Sequence, residues 1–443
     1  MASAFPSLPS FSLKPLLLCM LPSMVCAQWP EWRGPGAQGH SQSKALPTMW
    51  SETSSVAWRT ALPGRGHSTP VSDGKLLWMT CARETPASEA ETKERLKANT
   101  GDQPVSVMNR ITIHALGVDA ETGSLRHDIE LLVVDKPQWV HQLNSYASPS
   151  PTLSQERLYT SHGSFGAACL DTKTLKILWR NQELSVAHEN GPGSTGVLCG
   201  DRYVAHFDGS DQQFIAAYDV ESGAVAWKTA RTGAMDARPQ LKKAYGTPLL
   251  ASLHGVSTLI SPAANWVYGY DPKDGRELWK VAYGELGFSM SVRPVADDKR
   301  FYLSTSYGKS QVIAFESKAQ GAPTVLWRQA RNAPKMSSPV LVNDLLFYVD
   351  DGGIVSCLDA ATGEAHFRER LGGKFSASPL AAAGVIYLAS REGVVTVIEA
   401  SKTFRVLAQN QLDGGIMASP IVVGDSLILR TDKALYRIAS PRR

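Results

Sequence analysis

The stretch from Asp219 to Trp227, DVESGAVAW, decides the reading of this chain because it returns. DTKTLKILW runs from Asp171 to Trp179, and DPKDGRELW from Asp271 to Trp279. In each copy an acidic residue opens a turn, and a large side chain follows eight positions on. Weaker copies begin at Asp119 (ending at His127), Asp359 (Phe367) and Glu399 (Leu407), and another at Glu316, where an insertion delays the aromatic to Trp327. Successive starts lie 40 to 52 residues apart. β-Branched and aromatic runs broken by Gly and Asp turns at that period are the signature of a propeller blade.

A second phrase opens each unit: HSTPV at His67, ASPSP at Ala147, GSTGV at Gly193, GTPLL at Gly246, VRPVA at Val292, SSPVL at Ser337, SASPL at Ser376 and ASPIV at Ala418. Eight openings predict eight blades. Each is followed by a strand, a turn, a second strand, a loop and a third strand ending on the acidic residue, and a fourth strand carries the tryptophan. The chain stops at LYRIAS, after the third strand of its last unit, while SVAWRTAL (55–62) is an orphan fourth strand ahead of the first opening. Pairing these two closes the ring and removes the exposed strand edges of an open array. The predicted fold is therefore all-β: an eight-bladed β-propeller of four-stranded antiparallel blades over residues 55–440, closed by the N-terminal strand. Trp58, Trp179, Trp227, Trp279 and Trp327 share one place in the repeat, which predicts docking between neighbouring blades rather than stacking on a ligand.

With 43% hydrophobic and 19% charged residues in 443, the chain has the composition of a folded globular protein. One period running nearly end to end argues for a single array rather than several domains. The net charge of +4 is small and dispersed, which gives no ground for nucleic-acid binding. Residues 1–27 read as a signal peptide: Lys14, an apolar run from Pro15 to Val25, and the cleavage pattern Val25-Cys26-Ala27. Cleavage near Ala27 predicts a periplasmic or secreted protein, expected to be a monomer, and no later stretch is apolar enough to span a membrane. The four remaining cysteines, Cys81, Cys169, Cys199 and Cys357, have no CxxC spacing and read as small buried strand residues rather than metal ligands.

Two segments escape the repeat. Residues 28–54, which begin with the two tryptophans of WPEWRGP (29–35), are expected to form an ordered arm on the propeller, because a free tail would expose both rings. Residues 84–105, ETPASEAETKERLKANTGDQPV, interrupt the first blade between its second and third strands and are expected as a mobile insertion.

In such a blade the loops leading into the first strand and those joining the second to the third emerge on one face, so functional polar residues should gather there around the channel mouth. The leading loops supply His67, His141, Asn144, Tyr146, His188, Glu189, Asn190, Lys243, Tyr245 and Arg293; the second set supplies His206, Asp208 and Asp211. HENGPGS (188–194) and HFDGSDQQ (206–213), from one blade, are the richest. Imidazole, carboxylates and an amide converging on one mouth could hold a metal ion or a polar ligand. The same residue types also make turns and satisfy loop backbone. No known metal spacing and no GxSxG, HExxH or P-loop pattern occurs, so no catalytic residue and no metal ligand is assigned.

DVESGAVAWK, DPKDGRELWK and DAATGEAHF resemble the tryptophan-docking repeat of the pyrroloquinoline-quinone-like (PQQ-like) propellers, from about Ala57 to the end of the chain. WPEWRGP, GHS, HENGPGS and HFDGSDQQFIAAYD resemble a subgroup of exported PQQ-binding-like repeat proteins. That superfamily includes quinone-dependent alcohol and sugar dehydrogenases, and also cofactor-free relatives such as the lipoprotein propeller of the outer-membrane assembly machinery. Its alcohol dehydrogenases carry an adjacent cysteine pair over the quinone, and no two cysteines are adjacent here. They hold calcium with a Glu, an Asn and an Asp; Glu189, Asn190 and Asp208 have that chemistry, without a matching motif around them. The resemblance implies a cofactor-free, non-catalytic exported propeller that binds a partner protein, a peptide or a polar ligand at the channel mouth. The alternatives are a PQQ- and calcium-dependent dehydrogenase with Asp208 or Asp211 as base, and a glycan or small polar ligand binder using Tyr146 and Tyr245.

Overall fold

The computed structural model describes Met1 and residues 29–99 and 101–440. The expected signal peptide and its cleavage site near Ala27 lie, Met1 apart, outside the described residues. Eight four-stranded antiparallel sheets follow one another along the chain. Blade 1 is built from Val71–Ser72, Leu76–Pro86, Met108–Asp119 and Leu125–Asp135. Blades 2 to 7 span 152–181, 197–230, 249–282, 295–329, 340–370 and 380–411. Blade 8 takes three strands from 421–439 and its fourth from Val56–Ala61, which pairs antiparallel with Ala434–Ala439 and closes the ring.

The acidic phrase makes the joints between blades. Asp219 Oδ1 accepts the amides of Glu221 and Ser222 and fixes the turn, and Gly223 completes it at φ +72. A Cβ at Gly223 would sit 2.5 Å from the ring of Trp179 on the preceding blade, so this glycine is both the turn and the seat of the tryptophan. Trp58 lies in the same way on Gly123, Trp227 on Gly275 and Trp327 on Gly363. Trp279 meets no such glycine and stacks on Phe301 of the next blade, at 5.8 Å between ring centroids.

The opening phrase makes a second joint around the channel. Thr69 N–H donates to Ser150 Oγ (2.9 Å), Ser150 to Thr195 Oγ1 (3.0 Å) and Thr195 to Thr247 Oγ1 (2.9 Å). Arg293 N–H donates to Ser338 Oγ (2.9 Å), Ser338 to Ser378, Ser378 to Ser419 and Ser419 back to Thr69, each at 3.0 Å. Each buried amide thus finds its acceptor on the next blade. At most of these positions the residue that follows is proline, which has no amide of its own to satisfy. The one opening without a hydroxyl carries Arg293 in its place.

The arm runs across the channel on the side of this ring away from the loops. Trp29, 2% exposed, exchanges backbone hydrogen bonds with Ser72 of blade 1, and Pro30 accepts from Leu153 of blade 2. Arg33, buried among carbonyls, donates to Ser338 and Pro339 of blade 6; burial, with Arg293 nearby, holds its pKa down to about 9. His40–Ser41 then adds a parallel fifth strand to blade 7. The arm is thus tied to the ring at several blades by partners far apart in sequence.

In the 84–105 segment, expected as a mobile insertion, the described residues carry defined structure. The first blade's central strands extend through it to Pro86 and from Met108, and the helix Glu89–Arg95 is capped by Ser88. Arg95 ties the helix down by donating to Met108 O (2.8 Å) and to Pro137 O. Val105–Ser106 pairs with Val140–His141, so the insertion reaches the loop that leads into blade 2.

Candidate functional site

Above the hydroxyl ring the channel widens into a cavity of about 440 Å³, a size typical of small-molecule clefts. Trp32 of the arm forms part of its floor, together with Thr69, Ser150, Thr195 and Ser419 of the ring. The indole is fixed by its Nε1–H, which donates to Ser419 Oγ (3.2 Å), and by the Arg293 guanidinium lying 6.0 Å from the ring. Arg293 is 1% exposed; it donates to Trp32 O (2.7 Å) and pairs with Glu31 (2.8 Å). The opening that lacks a hydroxyl is therefore the anchor of the arm.

Of the residues singled out in the sequence, His67, His141, Asn144, Asn190, Lys243 and Tyr245 line this cavity. Asn144 clamps two leading loops: its Nδ2 donates to Asn190 O (2.8 Å) and Pro192 O (3.1 Å), and its Oδ1 accepts from Ser145 and Ser148. Asn190 in turn accepts from Gln103 of the insertion (3.2 Å). Tyr245 OH donates to His188 O (2.5 Å). His141 Nδ1 accepts the Leu143 amide (3.0 Å), which assigns the ring proton to Nε2. Burial, helped by the guanidiniums of Arg430, Arg65 and Arg391, holds His67 down to about 3, so it is neutral at physiological pH.

The other candidates stand elsewhere. Tyr146 is fully buried in blade packing, with its hydroxyl on Gln138 O (3.1 Å). His188 is buried and its Nε2 accepts the Ser164 amide (2.9 Å); desolvation lowers it to about 4. Glu189 accepts from Ser210 Oγ and Gln240 Nε2, both at 2.9 Å, and Asp211 accepts the Ala187 amide (2.8 Å). His206 Nε2 lies 2.5 Å from Ser261 Oγ.

Asp208, expected at the channel mouth, is enclosed instead. Its carboxylate is shut inside the protein in a two-pronged pair with Arg231, at 2.9 and 2.8 Å, and neither side chain reaches solvent. Arg231 also donates to Ser261 Oγ (2.7 Å) and lies over the rings of Tyr268 and Tyr270. Burial opposes the guanidinium charge, but the Asp208 carboxylate more than offsets this and raises its pKa. Asp208 is thus available neither as a base nor as a calcium ligand. Glu189, Asn190 and Asp208 each have separate partners, and among the described residues no group of three His, Cys, Asp or Glu side chains is placed to hold a metal ion. The donor set does not fit the calcium and quinone pair.

The four cysteines are buried and unpaired, each thiol pushed up by burial to about 11 or 12. Sequence reasoning missed the other side of the cavity, formed by Trp32, Phe288, Tyr307, Met336 and Met417. Their common signal is that all lie in the arm or in inter-strand loops, outside the strands that the repeat defines.

The family of the outer membrane protein assembly factor BamB matches residues 43–229, 263–353 and 310–438. A curated relative, the outer membrane protein assembly factor BamB of Legionella pneumophila (strain Paris), is 22% identical over 170 residues, 36% of this chain and 42% of that protein. The match therefore spans less than half of the relative's length. Among solved structures, BamB from Moraxella catarrhalis superposes with a TM-score of 0.55 at 13% identity, over 86% of this chain and 98% of its own. The quinohemoprotein alcohol dehydrogenase from Comamonas testosteroni gives 0.54 at 11% identity, over 94% and 81%. At such identities these two likenesses concern the fold alone. No helix among the described residues is long and apolar enough to cross a membrane.

Proposed function

Because the chain belongs to the family of the outer membrane protein assembly factor BamB, we propose that it works without a cofactor, as an exported, monomeric propeller whose channel mouth recognises a protein partner. One observation carries the reading: the carboxylates that base or calcium chemistry would need are engaged elsewhere, and among the described residues no Asp or Glu lines the cavity. What the mouth offers instead is recognition chemistry: amides, hydroxyls, imidazoles and a lysine on one side, rings and thioethers on the other. Leu143, 52% exposed at the rim, adds an apolar contact of the kind that binding surfaces use.

The test places a photo-crosslinking residue at position 143 on the mouth, or at exposed position 75 on the opposite face. A discrete protein adduct from position 143 and none from position 75 is the expected result. Adducts from neither, or from position 75 alone, would remove the mouth as the recognition face. A thermal melt with pyrroloquinoline quinone and calcium bears on the alternative: a calcium-dependent stabilisation approaching ~2.7 kcal/mol at a hundredfold excess over Kd would overturn the cofactor-free reading.

A further inference from the structure

Two cations at the cavity have no carboxylate in direct contact with them. Lys243, 2% exposed, donates its Nζ to Gln240 Oε1 (2.5 Å) and, among the described residues, feels Glu189 without forming an ion pair with it. Arg391, half-buried, gives its Nε to Ser376 Oγ (2.7 Å) and its Nη2 to Met336 Sδ (3.3 Å), both on residues that line the cavity. The neighbouring acids hydrogen-bond other groups, Glu189 to Ser210 and Gln240, Asp351 to the Lys335 amide and Glu392 to the Lys374 amide, and attract Lys243 and Arg391 only from beyond contact. A buried ammonium whose hydrogen-bond partner is neutral is costly, since burial lowers the Lys243 pKa more than the more distant Glu189 raises it, and an anion from outside the chain would offset that cost. The same cavity has an apolar wall, made by Trp32, Phe288, Tyr307, Met336 and Met417.

We propose that this cavity receives a carboxylate carried on an apolar or aromatic body, with the carboxylate at Lys243 and the body against the wall that begins at Trp32. His67 lines the same cavity, and the guanidiniums of Arg430, Arg65 and Arg391 add an electropositive contribution there to the burial that lowers its pKa. Two sources share the chemistry: an acidic, aromatic-bearing segment of the protein partner, or a free aromatic acid. The first deepens the proposed function and rests on its placing recognition at the mouth.

Calorimetric titration at low salt on the chain from Gln28 onward separates them. The probes are the blocked tripeptide Glu-Phe-Glu with its Gln-Phe-Gln analogue, and 2-naphthoate with 2-naphthamide. At least one carboxylate probe is expected to bind tenfold or more tightly than its amide, with that preference lost in Lys243→Gln and weakened in Arg391→Gln. Thermal melts establish that both variants are folded, and the less buried Arg391→Gln carries the test if Lys243→Gln does not fold. If neither acid outbinds its amide, or if the preference survives in both variants, the anion site is overturned. A preference shown by the peptide alone assigns the site to the partner. One shown by naphthoate alone supports the anion site with a small molecule as its occupant. Loss of acid binding in Lys243→Gln with the position 143 adduct retained would separate this site from partner recognition, so each reading can fail without the other.

Discussion

The loops of blade 3, residues 188–193 and 206–213, and the arm, residues 29–41, are both dense in polar and aromatic side chains and use them in opposite ways. The blade 3 loops, Asn190 at the cavity excepted, turn theirs inward. Asp208 locks onto Arg231, His188 accepts a buried amide, and Asp211 and Glu189 hold neighbouring loops. The arm crosses the channel, fixes itself through Glu31 and Arg293, and presents Trp32 to the cavity. Chemical richness in a loop is thus no guide to a site when the repeat buries that loop. An irregular segment that must cross the channel, by contrast, has no position except at the site.

Three measurements would break or sharpen that contrast. The largest effect is expected from Asp208→Ala. It strands a fully buried guanidinium and should cost about 3–5 kcal/mol in denaturant unfolding. A loss under about 1 kcal/mol would show that the pair is not structural and would return Asp208 to the list of chemical groups. Next comes pH. His162 and His188 are held neutral by burial, each with a pKa lowered to about 4, whereas the unfolded chain protonates them near 6.5. Their folded pKa values are depressed, so their stabilising contribution is complete above 6.5 and shrinks as pH falls toward 4, at roughly 1.4 kcal/mol per pH unit for each. By pH 5 each should have cost about 2 kcal/mol, and His188→Gln should flatten the curve of Tm against pH. A Tm independent of pH between 7 and 5 would contradict the burial assigned to His188 in blade 3 and to His162 in the loop between the second and third strands of blade 2. The smallest effect belongs to the arm: Glu31→Ala leaves Arg293 its carbonyl partners and, because Glu31 is partly exposed, should cost only about 1–2 kcal/mol. Its more telling readout is protease cleavage near Trp32, which should accelerate if Glu31 anchors the floor and stay unchanged if it does not.

Much of the fold was legible because its rules are local. An Asp that caps a turn, a glycine four residues on, and a tryptophan that lands on the corresponding glycine of the next blade repeat with a period, and the period counts the blades. The Thr69, Ser150, Thr195, Thr247, Ser338, Ser378 and Ser419 hydroxyls were also visible as a recurring phrase, though not their purpose, since each serves an amide some 40 to 80 residues away or, for Thr69, across the closure. The candidate site was legible in part. His67, His141, Asn144, Asn190, Lys243 and Tyr245 could be placed at the mouth by strand topology alone, because loops of one class emerge on one face. Asp208 and His206 come from the second set of loops, expected on the same face, and nothing in their spacing distinguishes an outward carboxylate from one that meets Arg231, 23 residues later and buried.

The sequence by itself determined the architecture: eight blades, their joints and the closure between residues 56–61 and 434–439. These follow from turn geometry and from the repeat period, which act between residues close in the chain or at equivalent repeat positions. Only the tertiary structure decided which polar groups are free to act. That depends on long-range pairs such as Glu31 with Arg293 and on burial that no periodicity encodes. Whether a carboxylate touches Lys243 is a property of the assembled channel, because charge compensation is settled by distance in space and not by position along the chain.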